Sequence, residues 1–478
     1  MAGLFGLSAS VSTNDFFRKT LFWGTFYNRH LGEEHTGLAA INGGVILSES
    51  KPGLFPANFK SIVDQFVGTE GLGYCGSEKG PFHVKKSKFG AFSICFTGNI
   101  INRQELVDEF DKSGHIFEEG NDIEVIAKLI VQGDNIVHGI KKMNEKVKGA
   151  YSLLLLSKEG IYAVRNPSGQ WPLVIGITDS AVIVSSECGG FNNLGFEPHY
   201  DIQPGEIILL KDGAWKVADR IVGEARIEEC SFYGAYTSSA AAIVHGIPVT
   251  SIREQLGARL AREDIKEGFI PHVVIGVPDS GEVHADGYKA EFDRQIILGK
   301  IDRVPFRKKY LFKYGFARSF LRPTPKDRRE TAHYKIVVTA ETIENFLEML
   351  ENAGLDVISQ DIKSSGRIII VVCDDSVVRG VQIKSNLVPK IRMIFEREID
   401  GISIKAGIHI RASFPPLLSY CSFGKTTRKG EVLAHLHPMI KDRIKYLGVD
   451  SLKYNTVNDL IYILGRSRDE LCLRCISE

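Results

Sequence analysis

Apolar positions follow two rhythms along the chain. Up to about residue 225, short apolar or β-branched runs are bounded by Gly, Asn, Asp or Pro. On that pattern Val45–Leu47, Ala91–Phe96, Tyr151–Leu156, Ile161–Val164, Ala181–Val184 and Glu206–Leu210 read as strands. One helix stands out among them. Ile123, Ile126, Ala127 and Ile130 follow the i, i+3, i+4, i+7 stripe, Asn121 or Asp122 can cap it, and Gly133 can stop it. Many strands with few helices predict an α+β sandwich. The second half alternates helical stretches, such as Ile252–Arg262 and Glu341–Glu351, with short, continuously apolar runs. His272–Val277 leads into Pro278-Asp279-Ser280-Gly281, and Ile368–Val372 leads into Cys373-Asp374-Asp375-Ser376. Such runs fit buried parallel strands, whose carboxyl ends hold the ligands of open α/β sheets. The change of rhythm places a boundary near Ile221–Cys230.

The 478 residues suffice for two or three domains with full cores. With 44% apolar and 24% charged residues the chain is neither disordered nor collagen-like. A net charge of +1 offers no global field to nucleic acid or to an anionic membrane. No run approaches the ~20 apolar residues of a membrane span, and the start lacks a basic signal region, so a cytoplasmic setting is expected. There, eight cysteines read as thiols or metal ligands before disulfides.

Charge is uneven locally. From Arg303 to Arg329 ten Lys/Arg face one acid, Asp327, with aromatics such as Phe306, Phe312 and Phe320 interleaved. A solvated basic face, a nucleic-acid site and a polyphosphate site all share this pattern. Neutrality elsewhere favours a small, highly anionic ligand in one cleft. Gly71-Leu72-Gly73-Tyr74-Cys75-Gly76 matches G-x-G-x-x-G, but its flanks supply neither the preceding strand nor the following helix. It reads as a glycine-rich turn.

The run Ile368–Gly380 reads as a buried strand, two adjacent acids, and a loop that opens a helix. Asp374 and Asp375 suit vicinal sugar hydroxyls or a hydrated Mg2+, and loop amides at a helix start suit phosphate. The segment resembles the phosphoribosyl-pyrophosphate (PRPP) motif of type I phosphoribosyltransferases, most closely that of the amidophosphoribosyltransferase family, the glutamine PRPP amidotransferases. The resemblance implies that Asp374 and Asp375 face the ribose hydroxyls of Mg2+-bound PRPP. Ser376, Val377, Val378, Arg379 and Gly380 would hold its 5′-phosphate. Val381 and Gln382 stand where the family has two threonines, so two hydroxyl donors are lost. Asp279, Ser280 and Gly281 look like the pyrophosphate loop. Arg328 and Lys335 look like the catalytic cations of the flexible loop that closes over PRPP. Ile336–Arg367 is longer than the family's segment.

The N-terminal half is similar to the family's class II glutamine amidotransferase domain, an Ntn-hydrolase fold, but with a degenerate site. Ala2 replaces the nucleophilic cysteine and cannot form a thioester. Gly76 stands in place of the arginine that clamps glutamine's carboxylate, and Thr97 in place of the oxyanion-hole asparagine. Gly98 remains, as does Asp122, expected to bind glutamine's amine. No glutaminase activity is expected.

Cys472-Leu473-Arg474-Cys475 alone is a C-x-x-C for which structural, redox and metal readings stand equal. The resemblance adds Cys230 at the junction and Cys421 after Pro415-Pro416, completing the four-thiolate set of a [4Fe-4S] cluster, with Zn2+ as the alternative. Cys75, Cys95, Cys188 and Cys373 read as structural.

These readings give an Ntn-type domain over 1–228 and a type I phosphoribosyltransferase α/β domain over 229–430 with an insertion at about 337–366. A helical tail over 431–478 carries the C-x-x-C. The implied function is displacement of pyrophosphate from PRPP by ammonia or another amine, as in purine biosynthesis, by a homo-oligomer open to a nucleotide effector. The alternatives are a non-catalytic PRPP- or nucleotide-binding regulator and a structural partner of an active amidotransferase. Neither nucleic acid nor membrane is expected as a partner.

Overall fold

Four consecutive leucines show why the N-terminal half is layered. In the Gly149–Ser157 strand, Leu153 and Leu155 point to one side, Leu154 and Leu156 to the other, and all four are fully buried. Side chains alternate along a strand, so such a run must be covered on both faces. One face meets helices Asp122–Val131 and Ile136–Lys146, and the other meets a second sheet through Leu4, Leu72 and Val182. The structure is a computed structural model and describes residues 2–10, 13–222, 226–309, 311–314, 336–338, 341–424 and 430–477.

The first sheet runs Glu197–Asp201, Val174–Ile177, Ala181–Ser185, Ala2–Ala9, Glu70–Gly76, His35–Asn42, Val45–Pro52. The second runs Ala214–Arg220, Glu206–Lys211, Gly160–Arg165, Gly149–Ser157, Phe92–Ile100, Phe82–Val84. Both are antiparallel, and helix Asn14–Tyr27 packs against the first sheet, giving the expected α+β sandwich. Asn121, rather than Asp122, caps helix Asp122–Val131, its side chain accepting from the Glu124 amide.

The stretch read as a glycine-rich turn is instead the Glu70–Gly76 strand, buried throughout and paired on both sides. Its glycines serve close packing, not a turn. A Cβ at Gly73 would lie 1.7 Å from Oγ1 of Thr25 on the covering helix.

In the second half Phe306–Arg307, Val273–Gly276, Arg367–Asp374, Ile402–Ala412 and Ser451–Tyr454 pair in parallel in that order. Val274, Val371 and Cys373 face helices Val249–Lys266 and Glu282–Ile297, while Val273, Ile370 and Val372 face Ile343–Asn352, Asp356–Ser365 and Val388–Phe395. Helices on both faces make this the expected α/β domain. Two corrections belong here. The insertion holds two helices where periodicity gave one, because Asp356–Ser365 buries only Ile358, Ser359 and Ile362. The tail is not only helical: Ser451–Tyr454 extends the parallel sheet, and Leu471–Cys472 pairs with Glu229–Cys230. Among the described residues no helix is long and apolar enough to cross a membrane.

Candidate functional site

The two continuously apolar strands end side by side. Gly276 pairs with Cys373, and the Val277 amide donates to the Cys373 carbonyl at 2.9 Å. Ser280 Oγ then donates to Asp374 Oδ1 at 3.3 Å. Gly281 permits this approach, since a Cβ there would lie 2.2 Å from the Cys373 carbonyl oxygen. Asp279 adopts a left-handed backbone, φ 57°, which Asp tolerates better than most residues. Helix Glu282–Ile297 starts at once, so its positive end adjoins the loop. Asp279, Ser280, Gly281, Asp374 and Asp375 are thus brought together.

Asp374 and Asp375 are both buried. Asp374 Oδ1 also accepts the Asp375 amide at 3.0 Å, and Asp375 Oδ2 accepts the Ser376 hydroxyl at 2.7 Å. Val377 is buried and Val378 packs into the core. Arg379 is held by Glu431, whose Oε2 accepts from Nε at 2.9 Å and Nη2 at 2.7 Å. A phosphate at residues 376–380 would therefore draw on backbone amides more than on these side chains.

The described part of the basic stretch is neutralised inside the fold. Arg303 meets Asp361 at 2.7 Å, Arg307 and Lys309 meet Asp286 at 2.9 Å, and Lys308 meets Glu341 at 2.8 Å. Those four cations serve internal ion pairs, which corrects the reading of the whole stretch as one anion cleft. Arg328 and Lys335 lie outside the described residues.

The four implied ligand cysteines border one cavity. Cys230 and Cys472 pair in the short parallel ladder, and the Leu418 amide donates to the Cys475 carbonyl at 2.8 Å. Cys421 and Cys475 complete the wall, with Trp171, Phe232 and Phe423 as apolar neighbours. Burial pushes all four thiols up, Cys472 to about 11, and the neighbouring thiols push Cys230 further. Among the described residues, no three His, Cys, Asp or Glu side chains are grouped tightly enough to hold a single ion. Four thiols around one apolar cavity are nevertheless the donor set of a cubane cluster, which is larger than one ion. Cys75, Cys95, Cys188 and Cys373 are buried elsewhere, and burial raises each thiol, Cys373 to about 12.

Ala2, Gly76, Thr97 and Gly98, four of the residues expected at a degenerate glutamine site, also meet. Ala2 pairs with Gly76, its amide donates to Thr97 Oγ1 at 2.9 Å, and Gly98 follows in the same strand as Thr97. The space bounded by Ala2, Leu31, Thr97, Trp171 and Tyr233 leaves about 10 Å³ for water centres, room for about one water. Tyr74 crowds Gly76, because a Cβ there would lie 2.2 Å from its hydroxyl oxygen. Asp122 does not border that space. Its Oδ2 accepts the Ile100 amide at 3.2 Å, and Arg103 Nε lies 3.8 Å from Oδ1. Sequence reasoning missed Tyr74 and Glu431, since each acts on a partner that no motif spacing marks.

A family model described as a glutamine amidotransferase domain matches residues 75–193. Amidophosphoribosyltransferase of Methanocaldococcus jannaschii is 28% identical over 100% of this chain and 97% of its own length. That of Methanothermobacter thermautotrophicus is 29% identical over 95% of this chain and 89% of its own, and that of Bacillus subtilis 26% over 95% and 90%. The glutamine PRPP amidotransferase of B. subtilis, solved in complex with ADP and GMP, shares the fold with a TM-score of 0.79. It is 24% identical, the match covering 99% of this chain and 96% of that one. With matches running from end to end, this chain is similar over its whole length to amidophosphoribosyltransferases.

Proposed function

We propose that this protein binds Mg2+-PRPP at the paired strand ends and displaces pyrophosphate with ammonia or another amine, without a working glutaminase. The observation that carries the reading is the Ser280–Asp374 contact, which sets the pyrophosphate-loop residues against the acid pair. Asp374 and Asp375 would orient the ribose. The loop of Asp279, Ser280 and Gly281, beside the positive end of helix Glu282–Ile297, would face the leaving group, although the Ser280 and Gly281 amides donate to the Pro278 and Val277 carbonyls. Arg328 and Lys335 are assigned to the charge that develops there. The amine nitrogen bonds C1 as the C1–O bond to pyrophosphate breaks, and the amine's proton passes to solvent. Bound Mg2+ would screen the pyrophosphate charge. Catalysis on this reading is chiefly positional and electrostatic.

Cys230, Cys421, Cys472 and Cys475 are assigned to a [4Fe-4S] cluster. We place the domain divisions at 228 and 430, and expect a cytoplasmic homo-oligomer that answers to a nucleotide effector, since the B. subtilis relative was solved with two nucleotides.

The test is pyrophosphate release from PRPP and Mg2+ under a panel of amines, with glutamine unable to replace ammonia. A second reading, binding without turnover, is favoured by the hydroxyls lost at Val381 and Gln382 and by the Arg379–Glu431 pair. It predicts heat on adding PRPP but no pyrophosphate under any amine. Absence of both signals overturns both readings.

A further inference from the structure

The backbone of the acid pair is held from the neighbouring strand. The ladder between Arg367–Asp374 and Ile402–Ala412 ends with Asp374 opposite Ala412, and two further bonds carry it onward. The Ser413 amide donates to the Asp374 carbonyl at 2.9 Å, and the Phe414 amide donates to the Asp375 carbonyl at 2.8 Å. These bonds fix where the chain leaves the sheet, and so where both carboxylates start.

The second bond is steadied by a residue far along the chain. The Ser413 carbonyl and the Phe414 amide belong to one planar peptide, so fixing the direction of one fixes the other. The side-chain amide of Asn455 donates to that Ser413 carbonyl at 2.8 Å and to the Leu256 carbonyl at 3.0 Å. Leu256 is fully buried within helix Val249–Lys266, which packs on the sheet, so its carbonyl is a firm reference point. Asn455 itself directly follows the Ser451–Tyr454 strand, which pairs with Ile402–Ala412.

Burial gives this relay its weight. Asn455 is 3% exposed and Ser413 0%, so solvent is not at hand to replace the bond between them. A leucine of similar size would fill the same space, but it has no donor for either carbonyl.

We propose that Asn455 is a positioning residue for the acid pair. Through the Ser413–Phe414 peptide it sets how Asp375, and with it Asp374, is presented to the ribose hydroxyls of bound PRPP. The inference rests on the PRPP reading and extends it by drawing the C-terminal tail into the site. Asn455 acts through that peptide and not on the ligand.

The test is calorimetry of Mg2+-PRPP with the full chain and with Asn455→Leu, Asp375→Asn and the two combined. Asn455→Leu is expected to weaken binding about tenfold, because small misplacements of a positioned group carry large penalties. In the Asp375→Asn background the further loss is expected to shrink to about threefold or less, because changes that act through one contact do not add. A residue that only supports the fold would cost the same factor in both backgrounds. Hydrogen exchange read by mass spectrometry is expected to quicken over residues 411–417 in Asn455→Leu, with residues 149–157 unchanged. If Asn455→Leu fails to fold, Asn455→Ser, too short to span both carbonyls, takes its place. Native-like PRPP binding in a folded Asn455 variant overturns this proposal alone, as does an undiminished loss in the Asp375→Asn background. Absence of PRPP heat from the native chain overturns the PRPP reading and this proposal with it.

Discussion

The backbone amide of Ala2 donates a 2.9 Å hydrogen bond to the hydroxyl of Thr97. The space beside Ala2 is therefore narrow, with room for about one water. Restoring one residue should not revive the chemistry. Ala2→Cys alone is expected to leave glutamine hydrolysis at background, measured as glutamate release.

The same packing opposes a restored clamp. A side chain at Gly76 would begin 2.2 Å from the Tyr74 hydroxyl and 2.9 Å from Ala2 Cβ. Gly76→Arg is expected to destabilise the fold by about 1–3 kcal/mol, the usual cost of overpacking. Adding Tyr74→Ala should relieve part of that loss. Urea unfolding midpoints of the single and double variants check this, and equal midpoints would contradict it.

Asp374→Asn and Asp375→Asn keep size and one acceptor oxygen while removing charge. A hydrogen bond to a charged group contributes about 1.5–3 kcal/mol, so each change is expected to weaken Mg2+-PRPP binding roughly ten- to hundredfold. Melting temperatures should stay close to native, because the contacts of Asp374 Oδ1 with Ser280 and the Asp375 amide survive on an asparagine oxygen. Calorimetry that shows undiminished PRPP heat in both variants would dissociate these acids from the ligand.

Much of this arrangement is legible in the sequence, for physical reasons that differ by element. Ile368–Val372 announces its strand because both faces are buried, and the strand extends only to Arg367–Asp374. Ala2–Ala9 and Glu70–Gly76 do not announce themselves. Their glycines and alanines carry little β signal, and long-range pairing, with the fit of helix Asn14–Tyr27 against Gly73, makes them strands. The two strand-end loops can be read from their polar residues after apolar runs. The neutralised cations at Arg303, Arg307, Lys308 and Lys309 cannot, because their acids lie 21 to 58 residues away along the chain, as with Arg307 and Asp286 or Arg303 and Asp361.

The four cysteines around one apolar cavity give a prediction independent of PRPP. Anaerobic protein is expected to be brown, with absorbance near about 400 nm from iron–sulfur charge transfer. Cys472→Ser removes one of four ligands and should abolish that band. Colourless native protein containing zinc would refute the cluster, and an unchanged band in Cys472→Ser would refute the ligand assignment.

His284 gives the fold a pH dependence that begins just behind the loop of residues 279–281. Its ring is fully buried in helix Glu282–Ile297, and Nδ1 donates to the Arg253 carbonyl at 3.0 Å. Burial, reinforced by the Arg253 charge, pulls its pKa down to about 3. The unfolded chain takes up this proton near the ordinary histidine value of 6.5 and the folded chain does not, so folding loses stability as pH falls below about 6.5 and nothing changes above it. One such proton amounts to about 1.4 kcal/mol per pH unit over that window. His409, pulled down to about 4 by burial, adds to the loss in the same direction. Urea-derived stabilities at successive pH values between 7 and 5 (roughly the range in which histidine titrates) are expected to fall more steeply for the native chain than for His284→Gln. Parallel slopes would mean that His284 is not the buried neutral group that resists acid here.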